Sequence, residues 1–214
     1  MYMKILSVTS LAIPAVRAIR FARFGDGRGY FTETFRKGDL AKLTEIPEFS
    51  TVEWLQANES YSVAGVVRGL HFQWNPHQGK LVRATEGKLI DLVLDIREES
   101  PTQGKIVGYE LYYDPQEAFQ DLLWIPPGFA HGFVAVTNCR IEYVCTGAWS
   151  PNSERAIQIF DTQIDWSLMD VGLKSQVDTI LPNALMADKD RNGLTLVQWN
   201  QSPEHATFMQ TLPR

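Results

Sequence analysis

GVVRGLHFQWNPHQGKLVRATE, residues 65–86, sets Arg68, His71, His77, Lys80 and Arg83 among short apolar runs, with glycines where the chain turns. His71 falls inside one predicted strand, Lys80 and Arg83 on the next. Only Glu86 offsets the three cations Arg68, Lys80 and Arg83, in a chain whose net charge is -5. A local cationic excess on an acidic protein points to an anionic small ligand rather than a nucleic-acid surface.

Outward from this segment, Val63 to Trp149 repeats the pattern. KLIDLVLDIR, GKIVGYELYY, DLLWIPPG, HGFVAVTN and CRIEYVCTGAW are short apolar stretches punctuated by Gly, Pro, Asn or Asp. Closely spaced strands with turn signals predict a mainly β fold: a sandwich, jelly roll or small barrel. Strand parity then sorts the side chains. Val67, His71 and Gln73 share one face, polar enough to line a cavity, and Arg68 points the other way. Both Arg68 and His71 reach one pocket only if the strand bulges, and Gly69 is the place for the bulge. Lys80 and Arg83 fall on opposite faces, and a solvated strand edge is the plain alternative for them. In WIPPGFAHGF, two prolines and a glycine form a stiff turn that presents His131 at a strand start. Tyr143 faces inward with Ile141 and Cys145, where its hydroxyl needs a partner or serves as a proton donor.

The flanks carry less. Residues 1–20 read as an extended arm with one or two strands, 24–35 as a hairpin, and 37–43 as a short helix. TVEWLQ, residues 51–56, alternates as a strand, ended by Asn58-Glu59-Ser60. The tail, residues 151–214, reads as polar loops with a turn at DTQIDW and a short helix near 167–174. One domain over 1–214 is expected, with its β core at about 51–150. Hydrophobic residues at 44% and charged residues at 21% suit a globular protein with a full core. No apolar run is long enough for a bilayer, and Pro14 and Arg17 interrupt the weakly apolar start, so neither membrane association nor a signal peptide is expected. Cys139 and Cys145 are too few for a disulfide framework and read as reduced core thiols of a cytoplasmic protein.

The chemistry has competing readings. No dinucleotide fingerprint, P-loop, G-x-S-x-G elbow or C-x-x-C pair is present, so a reaction here is expected to need no cofactor. Pro126, Gly128 and His131 spell P-x-G-x-x-H, and with His71, His77 and Glu86 they sketch a metal site. Gln73 stands where the second histidine of an H-x-H pair would be, which disfavours a metal. A sugar-binding or structural β-domain, with aromatics as stacking platforms, is the reading without catalysis.

GDGRGYF (25–31), VVRGLHFQ (66–73), QGKLVR (78–83), DIREESPTQGK (95–105), LWIPPGFAHGF (123–133) and SPNSE (150–154) follow one another in order. Together they resemble the dTDP-4-dehydrorhamnose 3,5-epimerase family, from about Phe24 to Trp166 and faintly on to MADKDRNG at 186–193. The resemblance implies a cupin-like jelly roll with short helices in its flanks, forming a homodimer without a catalytic metal. It also implies a nucleotide-linked 4-keto-6-deoxy sugar as substrate, inverted at C3, C5 or both. His71 resembles the family's base, oriented by Asp190. Tyr143 matches the acid on the other ring face, and Lys80 the stabiliser of the enolate. Arg68 and His131 match further pocket residues. Arg28, Glu33, Gln56 and Asn58 match positions that hold the nucleotide. Three departures stand out: Trp149 replaces a second tyrosine, Glu59 a histidine, and the loop between His71 and Lys80 is shorter than in some relatives. Trp149 is expected to stack on the ligand or wall the pocket. A single-centre epimerase and a catalytically silent sugar-nucleotide binder remain the alternatives.

Overall fold

The computed structural model describes residues 2–213. Thirteen strands are present among them. In chain order these are β1 (Ile5–Ser10), β2 (Arg17–Ala22), β3 (Phe24–Asp26), β4 (Gly29–Phe31), β5 (Gln56–Ser62), β6 (Val67–Gln73), β7 (Lys80–Glu86) and β8 (Lys88–Asp95). There follow β9 (Ile106–Tyr112), β10 (Phe119–Ile125), β11 (Phe129–Ala135), β12 (Cys139–Cys145) and β13 (Glu154–Ala156). A six-stranded sheet runs β1-β2-β10-β7-β12-β5, and a five-stranded sheet runs β13-β6-β11-β8-β9. Neighbouring strands are antiparallel throughout both sheets. The hairpin β3–β4 forms its own two-stranded ribbon, as the Gly/Asp turn predicts.

Three apolar layers hold these pieces. Between the sheets lie Val82, Leu123, Ile141, Leu89, Val93 and Phe133 with their neighbours. The outer face of the six-stranded sheet packs Phe21, Leu81 and Trp124 against Leu40 of the short helix α1 (Lys37–Leu40) and against Phe49. The outer face of the five-stranded sheet is covered by the tail. There Leu70, Phe72, Leu92 and Leu94 meet Val177, Trp199 and Phe208. Those three sit on α2 (Val171–Ile180), α4 (Leu196–Asn200) and α5 (Pro203–Thr211), with α3 (Asp188–Arg191) between. β8 is buried on both faces, which is why its sequence reads as a nearly continuous apolar run rather than an alternation.

Three local expectations change. TVEWLQ is not a strand: β5 begins at Gln56, where the predicted strand was to end. The alternation there comes from Trp54 packing edge-on against Phe35, Phe49 and Trp124, an aromatic cluster rather than a sheet face. The tail helix starts at Val171, later than expected, because the Asp170 side chain caps it by accepting from the Gly172 and Leu173 amides. Val67 lies on the opposite face from His71 and Gln73, packed toward the helices with Leu70 and Phe72. The cause is the bulge expected at Gly69. His131 pairs with His71 and Phe133 with Arg68, so two steps on β11 oppose three on β6.

Candidate active site

The bulge decides what reaches the pocket. Gly69 has φ +96°, a conformation that side chains rarely adopt, and its Cα lies against the backbone of Gly132. The extra residue inverts the parity of β6, so Arg68 and His71 both line one cavity of about 400 Å³. Strands of both sheets supply its walls. Lys80 comes from β7, His131 from β11, Tyr143 from β12, and Gln56 and Asn58 from β5. Trp149 lines the same cavity and is 57% exposed, so it stands at the rim. Arg83 points to the other side of β7, paired with Glu142 at 2.5 Å. A larger groove of about 890 Å³, beside Arg97, Glu98 and several prolines, carries no histidine, lysine or tyrosine.

His71 Nε2 lies 2.6 Å from Asp190 Oδ1, across 119 residues of sequence. The carboxylate is nearly inaccessible, while the imidazole keeps 22% of its side chain open to the cavity. Burial pushes the Asp190 carboxyl up. The His71 hydrogen bond and charge, the Gly69 amide and Lys189 outweigh it and hold the carboxyl below its ordinary value. An ionised Asp190 accepts Nε2–H and leaves the Nδ1 lone pair of His71 free, the arrangement a histidine base requires.

The other groups are tuned by the same wall. Burial lowers Lys80, opposed by Cys145, Glu154 and Asp91. Tyr143 is raised, by burial first and then by Cys145 and Glu154, so its hydroxyl stays protonated. Arg68 donates to Ser62 Oγ at 2.9 Å and to the Tyr61 carbonyl at 3.1 Å, tethering it to β5. Gln56 donates to Asn58 Oδ1 and accepts from the Trp149 amide, both at 2.8 Å, which fixes the rim. Glu59 points away from the cavity and pairs with Arg140 at 2.6 Å, so that departure leaves the pocket untouched.

Two predicted residues are not brought in. Arg28, at the tip of the β3–β4 hairpin, is 90% exposed and paired with Asp26, and Glu33 pairs with Arg36; neither lines the cavity. The sketched metal set does not converge either. His77 turns to Thr211 Oγ1 at 2.9 Å and Glu86 to Arg140, and no metal-ligand cluster exists among the described residues.

Sequence reasoning missed two pocket carboxylates. Glu154 on β13 lines the cavity, 3.8 Å from Lys189. Asp91 is fully buried beneath it and bonded to His131. Its signal was a lone aspartate within an apolar strand.

Stacked antiparallel sheets around a polar cavity make this a cupin-like jelly roll, mainly β. The dTDP-4-dehydrorhamnose 3,5-epimerase family matches residues 10–198. The chain is 40% identical over 176 residues to the enzyme of that name from Pseudomonas aeruginosa, covering 81% of this chain and 93% of that protein. It is 38% identical over 194 residues to the Shigella flexneri enzyme, covering 90% and 97%. A crystal structure of the Legionella pneumophila dTDP-6-deoxy-D-glucose-3,5-epimerase in complex with dTDP-4-keto-L-rhamnose superposes with a TM-score of 0.76. It shares 32% identity, with 97% of each chain covered. The chain belongs to the dTDP-4-dehydrorhamnose 3,5-epimerase family. No helix among the described residues is long and apolar enough to cross a membrane.

Proposed function

We propose that this protein is a metal-independent epimerase converting dTDP-4-dehydro-6-deoxy-D-glucose to dTDP-4-dehydro-L-rhamnose. The 2.6 Å His71–Asp190 pair opening on the cavity that also holds Lys80 and Tyr143 carries the reading. The 4-keto group acidifies the protons on C3 and C5. His71 Nδ1 takes such a proton, leaving an enolate whose oxygen carries the charge. Lys80 stabilises that oxygen with a fixed cation in a water-poor site. Tyr143 returns a proton from its phenol on the opposite ring face, inverting the centre. Arg68 and His131 hold the sugar, Gln56 and Asn58 hold the nucleotide, and Trp149 walls the rim or stacks on a ring.

We infer a homodimer, acting in the cytoplasm, with residues 1–214 as one working unit. The exposed hairpin supports the dimer: Phe24, Tyr30 and Phe31 stand open beside Arg28. A partner's hairpin delivered to the cavity mouth gives Arg28 and Glu33 their nucleotide role, with the guanidinium fork on the diphosphate.

Proton NMR of dTDP-4-keto-6-deoxy-glucose with the protein in deuterium oxide tests the chemistry. Signal loss at both C3 and C5 is expected, abolished in His71→Asn with dTDP binding kept. Exchange at one carbon makes this a single-centre epimerase and points to Trp149, since an indole cannot act as a phenolic acid. Full exchange in the His71 variant refutes the base, and no exchange in the unmutated protein refutes the epimerase reading.

A further inference from the structure

His71 is not the sole histidine of the cavity backed by a carboxylate. His131 is its register partner on the neighbouring strand, and both line the pocket. His131 Nε2 lies 2.9 Å and 3.0 Å from the two oxygens of Asp91. Asp91 sits in β8 among Leu89, Ile90, Leu92 and Val93, with no exposed surface at all. Among the described residues no lysine or arginine pairs with it, and its Oδ1 has no partner besides this nitrogen. A carboxylate in such a place costs several kcal/mol of desolvation, roughly, and an apolar pair of the same volume would serve packing as well or better. Folding alone gives no reason for Asp91.

Its position does. We propose that Asp91 is a positioning residue for the epimerisation: it holds the Nε2–H of a neutral His131, so that Nδ1 is presented as a hydrogen-bond acceptor for a hydroxyl of the sugar beside the 4-keto carbon. The two histidine–carboxylate pairs then divide the work. His71 gains a proton during turnover, and His131 keeps its own on Asp91 and orients the ring being deprotonated.

The charges around His131 agree. Asp91 on β8, Lys80 on β7 and His71 on β6 are the titratable groups acting on it. Burial lowers its proton affinity most, Asp91 opposes, and Lys80 and His71 lower it further. A second cation beside Lys80 is thereby disfavoured, and the Asp91 charge helps Lys80 keep its proton. An anion and a cation flank a neutral imidazole, a balanced floor under a substrate whose oxygen turns negative.

This inference rests on the epimerase reading for its catalytic consequence but not for its geometry, and two measurements separate them. Long-range proton–nitrogen NMR of the unmutated protein at neutral pH should show His131 protonated at Nε2 and bare at Nδ1, with the resonance assigned from His131→Gln. A proton on Nδ1, or on both nitrogens, overturns the proposal, and this experiment needs no variant of Asp91 to fold. Asp91→Asn removes the charge and can donate to Nε2, driving the proton to Nδ1. Its kcat for C3 and C5 exchange should fall by about 10- to 100-fold, the range seen when a metal-bound histidine loses its orienting partner, with dTDP affinity within about twofold. An Asp91→Asn enzyme with parental kcat overturns the proposal. If the unmutated protein exchanges neither proton while His131 shows the expected tautomer, the epimerase reading fails and the placement by Asp91 stands.

Discussion

Gly69→Ala is the sharpest test of how the backbone builds the pocket. A Cβ at this position would lie 2.5 Å from the His131 carbonyl oxygen and 2.7 Å from Gly132 Cα. Both are backbone atoms, so no rotamer change relieves the contact. The φ of +96° adds backbone strain of about 1–3 kcal/mol for a residue with a side chain. Overpacking contributes about 1–3 kcal/mol more. The sum, about 2–6 kcal/mol, is a large share of the roughly 5–15 kcal/mol that holds a domain together. Urea titration should show the midpoint fall accordingly. The variant should also lose deuterium exchange into substrate, because the Gly69 amide bonds Asp190 and the bulge aims His71. Gly38→Ala is the control. A Cβ there meets nothing within 4 Å and sits in α1, so stability should hold or rise by up to about 1 kcal/mol. A Gly69→Ala protein within about 0.5 kcal/mol of the parent, with full exchange, would refute the reasoning.

Two other perturbations reach the same scaffold and site. Asp95 is fully buried and accepts from the Arg97 guanidinium at 2.7 Å and from Ser100 and Thr102 at 2.6 Å. Asp95→Ala should cost about 1–3 kcal/mol in denaturant titration by leaving the Ser100 and Thr102 hydroxyls without their acceptor, and a loss below about 0.5 kcal/mol would count against a structural role. Burial raises the Asp95 carboxyl, yet Arg97, Ser100 and Thr102 hold it below its ordinary value. Its stabilisation is therefore present above the ordinary aspartate pKa and is lost as pH falls through the lowered one. On the alkaline side, burial lowers Lys80 while Tyr143 is raised, so kcat should fall as Lys80 deprotonates, before the phenol titrates. Glu154→Gln removes one charge that supports Lys80 and should move that limb of the pH–rate profile to lower pH; an unmoved limb would refute the coupling.

Much of this was legible because its determinants are local. Gly69 marked where β6 would bulge if Arg68 and His71 shared a pocket, and the GDG turn announced a hairpin. The motifs placed the cavity side chains on successive segments of the chain, although β6 and β7 fall in different sheets. What failed depended on distant packing. TVEWLQ imitates a strand because Trp54 inserts between Phe35, Phe49 and Trp124, which no periodicity of six residues can reveal. The four-residue helix that carries Asp190 is too short for a 3.6-residue pattern. Asp91 was hidden in a strand buried on both faces, where the apolar run masks which positions look inward. Arg28 and Glu33 resemble ligand-holding residues in sequence, yet in one chain Arg28, at the β3–β4 hairpin tip, and Glu33, just after it, lie outside the cavity.

Because the partners of the 2.6 Å histidine–aspartate contact stand 119 residues apart, turnover through the proposed His71 base would double as a gauge of local unfolding. Asp190 rides on a one-turn helix in the tail layer, outside both sheets. Any fluctuation that lifts this helix while the strands stay paired withdraws the carboxylate from His71. With His71 as the proposed base, catalysis would therefore sample the stability of the tail rather than that of the whole molecule. Warming or mild denaturant should silence the enzyme while the strand amides remain protected from hydrogen exchange.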